Sequence, residues 1–334
     1  MSNASSSTWF VEAFRAAFLA IDLVLHTGAV AGNGLVLLAF VKYAALRKRM
    51  KKECLYLIGG LALLDLSTGL GSILNIVTAL VVHSMALVQF TRLQCLVTHS
   101  IQSTPAVAGQ LLTLMIAVDR YQAFKAPLKY RLKNHREYGL RSFLAVFTFS
   151  AAISALSFFG VDLSAKLPGC DLAFVSTELY VAVFLLTCIL MAPAIVLVYV
   201  WALVLMRRRT KLTSSGNDEA MERQVRVTKT ISTVVLFYFF NCFLPMYLYV
   251  AAAAVGTAPL ILSAIEPLVE VGIALNCSIN VLIYASKHRT LRRYLLAVLK
   301  CKNAAAVEAE ALPQGTERRS NSKKSRTNQG EAGV

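Results

Sequence analysis

The chain has 334 residues, of which 57% are apolar and only 16% charged, and it carries a net charge of +16. A soluble domain carries about a quarter charged residues, so with a mean hydropathy of +0.60 the composition excludes an ordinary soluble protein. Nucleic acid is excluded as the partner of the positive charge, because the basic residues are dispersed over short connections between apolar runs.

Seven apolar runs approach or exceed the ~20 residues that a helix needs to cross the hydrocarbon core. They are 16–41, 55–82, 93–121, 142–161, 179–205, 228–255 and 259–285, the fourth being the shortest. The predicted fold is an all-α, seven-transmembrane helix bundle. All of the 34 Lys and Arg except Arg15, Arg92 and Lys166 sort to the first, third and fifth connections and the last tail. Basic residues gather on the cytoplasmic side, which predicts a multi-pass plasma-membrane protein with its N-terminus outside and its C-terminus inside. The organisation read from this is an extracellular tail (1–14), a membrane domain (15–285), an amphipathic surface helix (286–301) and a disordered cytoplasmic tail (302–334).

The tail 1–14 lacks the basic start and small-residue cleavage site of a signal peptide, so the first span serves as its own insertion signal. Asn3-Ala4-Ser5 is a glycosylation acceptor pattern on the outer face; Asn276-Cys277-Ser278 matches the pattern inside a span. Span one holds Gly32-Asn33-Gly34. An amide in lipid must face protein or water, and the small residues also suit close helix packing. The connection 42–52 has six basic residues and reads as a topology anchor with lipid-headgroup contact. Span two carries Asp65, whose insertion costs about 2.5–3.5 kcal/mol at mid-membrane unless a cation, a proton or hydrogen bonds compensate it. Asn75 and His83 lie further out on the same span.

Span three organises the chain. It opens near Cys95 and closes at Asp119-Arg120-Tyr121, and the intervening helix measures roughly 37 Å, a little more than the hydrocarbon core. Of seven cysteines, only Cys95 and Cys170 belong to outer segments, where disulfides persist, so they form the predicted pair. His99, Gln102 and Ser103, at i, i+3 and i+4, share a helix face at the level where a ligand pocket opens between helices; ordinary interhelical hydrogen bonding is the alternative. Pro105 should kink the helix just below.

The connection 122–141 is basic and contains Pro127, and the outer loop 162–176 contains Cys170. Pro193 interrupts span five. Span six reads Phe239-Phe240-Asn241-Cys242-Phe243-Leu244-Pro245, a bend about which the helix can pivot. The connection 207–226 has a polar centre, 213–219, that suits phosphorylation. In span seven, Glu270 is one turn deeper than Glu266 and reads as the internal charge; Asn276, Asn280 and Tyr284 form a polar stripe. Leu291, Tyr294, Leu295 and Val298 line one face of a helix on the membrane surface. Cys301 at its end is a palmitoylation candidate.

Gly32-Asn33, Asp65, Cys95, Asp119-Arg120-Tyr121, Cys170, Pro193, Pro245 and Asn280 with Tyr284 follow in order, one set per span. Together they resemble the rhodopsin-like (class A) G protein-coupled receptors over about residues 16–301. The resemblance implies an unknown extracellular ligand, a heterotrimeric G protein, and arrestin and a receptor kinase as partners. It implies Asp119, Arg120, Tyr121, Phe239, Phe243, Pro245, Asn280 and Tyr284 as the coupling switch. Ligand-binding candidates are His99, Gln102, Ser103, Phe243 and Glu270. Asn33, Asp65, Asn276 and Asn280 form the internal polar site.

The departures are informative. Phe243 stands where the family usually has Trp, Val281 where a proline follows Asn280, and Trp201 where a Tyr lies two turns below Pro193. The Trp usual in span four is absent. Val225 replaces the acid that in some members pairs with Arg120, implying high basal activity. Gly109 replaces the serine that often joins Asp65 in holding sodium, which leaves water or an ion around Asp65 and no other cofactor. Gln102 in place of an Asp argues against an amine ligand; Ala274 in place of a lysine argues against retinal.

Cys95, Gln110, Leu114, Ala117, Asp119-Arg120, Pro127 and Tyr130-Arg131 look like the nematode serpentine chemoreceptors, with an orphan or peptide receptor of another lineage as the alternative. A seven-span transporter would use Asp65 and the span-seven stripe as a pathway, but no internal repeat or matched pair of broken spans is present. A receptor-like protein without G-protein coupling is the third reading, kept by Val281. No nucleophile–base pair, metal-ligand cluster or phosphate-binding glycine loop points to an enzyme.

Overall fold

The computed structural model describes residues 2–43, 46, 55–84, 90–167, 170, 175–212, 219–256, 259–287 and 289–303. Where the sequence lacks breakers, helix runs on. Span one belongs to a helix Ser2–Lys42 that begins well before the apolar run, in what reads from sequence as a polar tail; no Pro or Gly precedes Gly28. The remaining spans are Leu55–Ser84, Arg92–Lys125, His135–Ala155 with a 3-10 turn Leu156–Phe158, Glu178–Leu212, Glu219–Tyr238 continuing to Ala254, and Pro259–Lys287. Span four starts seven residues before its apolar run because Asn134 caps it, its side chain accepting from the Glu137 amide.

Among the described residues, six helices are long and apolar enough to cross a membrane; the seventh, Pro259–Lys287, contains the shorter apolar stretch Pro267–Ile283. Large apolar side chains such as Leu38, Leu186, Leu197, Trp201 and Phe240 are exposed on the bundle exterior, as a hydrocarbon solvent requires. Span three is central, packed against spans two, four and five, while span one packs on two and seven. One core joins spans two to six around Leu61, Leu112, Ile195 and Phe243. A second joins spans one, two and seven to the surface helix Arg289–Leu299. That helix buries Leu291, Tyr294, Leu295 and Ala297 and exposes Arg292 and Arg293. The ring of Tyr294 packs at a tilt against Tyr43, 4.9 Å between centroids.

Two proline expectations are refined. The helix of span three runs unbroken through the buried Pro105. Span six bends through a π-helical segment, Phe239–Phe243, directly before Leu244-Pro245. Proline cannot donate to the carbonyl four residues back, which here is Asn241 O. That oxygen faces Gly272 of span seven, where an added Cβ would lie 1.7 Å from it.

Among the described residues, a two-stranded pairing at the outer loop is the departure from all-helix. Phe90–Thr91 pairs antiparallel with Lys166–Leu167, and the amides of Arg92 and Leu93 donate to Ala165 O and Leu163 O. Thr91 then starts span three with a capping box to Gln94. One turn on, Cys95 is bonded to Cys170. The disulfide and the strand pair thereby tie residues 166, 167 and 170 to the outer end of span three.

Candidate functional site

The polar residues singled out by sequence resolve into three layers. At the inner end of span three, Asp119 and Arg120 are both fully buried. Arg120 Nη2 donates to Asp119 Oδ2 at 2.5 Å and to the Tyr130 hydroxyl at 2.6 Å, and Tyr130 donates in turn to Asp119 Oδ2 at 2.9 Å. Tyr130 is brought there by the short helix Pro127–Leu132, which Pro127 starts at its first position. Lys133 Nζ adds a cation 3.6 Å from Asp119 Oδ1. Tyr121 is half-buried and takes Lys125 over its ring at 5.2 Å. Removing one member of a buried pair of this kind leaves the other charge uncompensated, which is strongly destabilising.

At mid-membrane, Asp65 is buried and accepts from Asn280 Nδ2 at 2.9 Å. Asn33 does not join them: its amide donates to Ala29 O and Cys277 O, both at 3.0 Å, tying span one to span seven. Asn276 Oδ1 and Asn280 Oδ1 are buried without a hydrogen-bond partner among the described residues. Gly109 gives the site no side-chain oxygen, and its carbonyl accepts from Thr113. The oxygens offered to a sodium ion are therefore one carboxylate already engaged and two amide oxygens. That is a poor cation shell. The side chain of Tyr284 lies outside the described residues, as do those of Asn3, His83 and Glu266.

In the outer half, Asn75 Nδ2 donates to Gln102 Oε1, and Gln102 Nε2 donates to Glu270 Oε2 at 3.2 Å. Three spans thus meet in one amide–amide–carboxylate chain. The shared face of His99, Gln102 and Ser103 divides: Gln102 reaches spans two and seven, whereas Ser103 turns to span five and accepts from Tyr180 at 3.5 Å. His99 is half-buried, and its Nε2 has no hydrogen-bond partner. Phe243 lies deeper, 3% exposed and edge-on to Tyr238 at 4.6 Å. Phe239 meets Phe240 edge-on.

A family model, 7 transmembrane receptor (rhodopsin family), matches residues 32–284, from Gly32 to Tyr284. The chain belongs to this family. It is a membrane receptor of the plasma membrane and not an enzyme. No curated protein matches it.

Several residues of the receptor escaped sequence reasoning. Tyr130 entered the sequence reading only as part of a lineage pattern with Pro127 and Arg131, not as a partner of Arg120. Tyr199 is buried and donates to Thr228 O of span six at 2.5 Å, while Trp201 is 60% exposed to lipid. The inward phenol of span five is therefore two residues earlier than expected, because the helix turns Trp201 outward. In span one, Asp22 and His26 are both buried, with Nδ1 of His26 3.2 Å from Asp22 Oδ1. An acid and a histidine four apart in an apolar run were the available signal. Cys301 is exposed with a free thiol at the end of the surface helix.

Proposed function

We propose that the receptor binds an extracellular ligand in its outer half and activates a heterotrimeric G protein at its inner end, with the N-terminus outside. The observation that carries this reading is the buried Asp119–Arg120–Tyr130 triangle. Three groups engaged by one another at the end of a central helix form a latch that a partner must open. The Asn75–Gln102–Glu270 chain is the counterpart at the other end: a ligand that binds Glu270 and Gln102 competes for bonds that join spans two, three and seven. His99 and Ser103 flank it. A ligand shifts the receptor only by its differential affinity for the two states.

Span six is the mobile element. Its π segment and Pro245 leave a weak point between Phe239 and Phe243, and bending there carries Tyr199 and Thr228 apart at the inner end. The opened cleft exposes Arg120 to the partner. A chemosensory role follows the nematode-like pattern of span three; an orphan or peptide receptor is the other lineage. Arrestin and a receptor kinase would act on the third inner connection and tail, and Cys301 would carry palmitate.

Basal nucleotide exchange on co-expressed G proteins tests the reading, with Arg120→Ala matched for surface level. Activity that vanishes in the variant supports coupling. Nucleotide exchange that survives Arg120→Ala at matched surface level would sink it, because the triangle would then not be the latch that the G protein opens.

A further inference from the structure

The carboxylate of Asp119 is served from two sides. Its Oδ2 accepts from Arg120 and Tyr130, and its Oδ1 faces Lys133 Nζ at 3.6 Å. Lys133 follows directly on the short helix Pro127–Leu132 and caps its end, its amide donating to Tyr130 O at 3.2 Å. The ammonium is held on two further sides. Nζ donates to Gln122 Oε1 at 2.8 Å and stands 3.0 Å from the centre of the Tyr138 ring. Lysine is among the side chains that lose most rotamer freedom on ordering, and here Gln122 and Tyr138 have already ordered it. Lys125, Lys129, Arg131, Arg136 and Arg141 of the same connection are exposed, whereas the side chain of Lys133 is 20% exposed.

A closed latch needs one cation in contact with Asp119, and Arg120 is that cation. Lys133 waits just beyond hydrogen-bond reach of the other oxygen. Opening the inner end turns Arg120 towards the G protein and takes it off Asp119. Asp119 is fully buried, and a buried charge deprived of its partner is strongly destabilising. A shift of about 1 Å brings Nζ to the 2.7–2.9 Å of a charge-assisted hydrogen bond, and the flexible four-carbon stem of lysine permits it.

We propose that Lys133 is a positioning residue of the switch, the reserve counter-ion that takes over Asp119 when Arg120 leaves it. Lys133 thereby favours the open state: it compensates the vacated carboxylate and leaves Arg120 available to the partner. This inference rests on the coupling proposed for Arg120.

Two measurements on the full chain test it, and the first needs no G protein. It is the midpoint at which the buried thiols Cys188, Cys242 and Cys277 become reactive on heating in detergent. Arg120→Ala reproduces the vacated carboxylate. Lys133→Met should lower the midpoint about threefold more in that background than in the otherwise unchanged chain, and adding Asp119→Asn should remove the excess. A double variant that does not fold, rescued by Asp119→Asn, is the same result. Equal shifts in the two backgrounds, or a double variant that Asp119→Asn does not rescue, would overturn the proposal, since Lys133 would then only prop the short helix. The second measurement is nucleotide exchange at matched surface level. Lys133→Met should lower it about tenfold, and Lys133→Arg, which keeps the cation, should recover most of the loss. Exchange that rises in Lys133→Met would overturn the proposal and make Lys133 a second bar of the latch. A wild type without exchange that still shows the midpoint excess would strike the coupling reading and leave Lys133 as the reserve counter-ion; without the excess, both fall.

Discussion

The Tyr130 hydroxyl is the least replaceable atom of the inner latch, because it touches both members of a buried ion pair. Hydrogen bonds to charged groups contribute about 1.5–3 kcal/mol, and about 1.4 kcal/mol is tenfold in an equilibrium. Tyr130→Phe keeps the ring and removes only this bond. It should raise basal nucleotide exchange about tenfold while surface expression persists; an unchanged basal rate would show that Asp119 alone holds Arg120. The same reasoning applies at mid-membrane. Asn280→Ala leaves Asp65 buried without that donor, a loss of about 1–3 kcal/mol or more for a charged group. The midpoint at which the buried thiols Cys188, Cys242 and Cys277 become reactive on heating should fall by several degrees. Asn280→Gln, which retains the donor, should recover part of it.

At the scale of the helix, the contact of spans six and seven is decided by backbone rather than side chains. Pro245 withholds an N–H from Asn241 O, and Gly272 makes room for that oxygen. Cys242 Sγ, one residue on, lies 3.3 Å from Gly272 O. Alanine favours a helix over glycine by about 1 kcal/mol, so propensity alone would make Gly272→Ala stabilising. A Cβ 1.7 Å from a carbonyl oxygen overrides that gain, since the two helices must separate. Gly272→Ala should therefore lower thermal stability and surface level. Gly109→Ala, whose Cβ would find its nearest neighbour at 3.8 Å, should be neutral or stabilising by the same assay. The reverse ranking would show that spans six and seven part without penalty.

For the whole molecule, the longest covalent constraint is Cys95–Cys170, which closes a loop of 75 residues containing spans three and four. The chain-entropy relation gives roughly 4 kcal/mol for such a loop. Cys170→Ser should lower the midpoint of thermal unfolding in detergent and release the outer loop from the mouth of the bundle. Limited proteolysis near Lys166 should then become fast, and a wild-type rate of cleavage would show that the pairing of 90–91 with 166–167 holds the loop alone.

Seven spans, the disulfide and the family were legible in the sequence, whereas several helices run seven or more residues beyond their apolar runs. Hydrocarbon is a uniform solvent that imposes length and apolarity locally, and the motif residues stand one set to a span. Which way each polar side chain turns was not legible. Spacing put Gln102 and Ser103 on one face, yet they serve different neighbours, because three helices surround span three and one stripe meets more than one of them. Asn33 reads as a partner of Asp65 but bonds to Cys277 O instead. Trp201 stands where the family usually has a Tyr, but the buried phenol of span five is Tyr199. The close approach of Asn241 O to Gly272 and the Asp119–Arg120–Tyr130 triangle require residues apart in the chain to meet. Tertiary packing decided them, because a helix of fixed period fixes the angle between its side chains and leaves its own rotation to its neighbours.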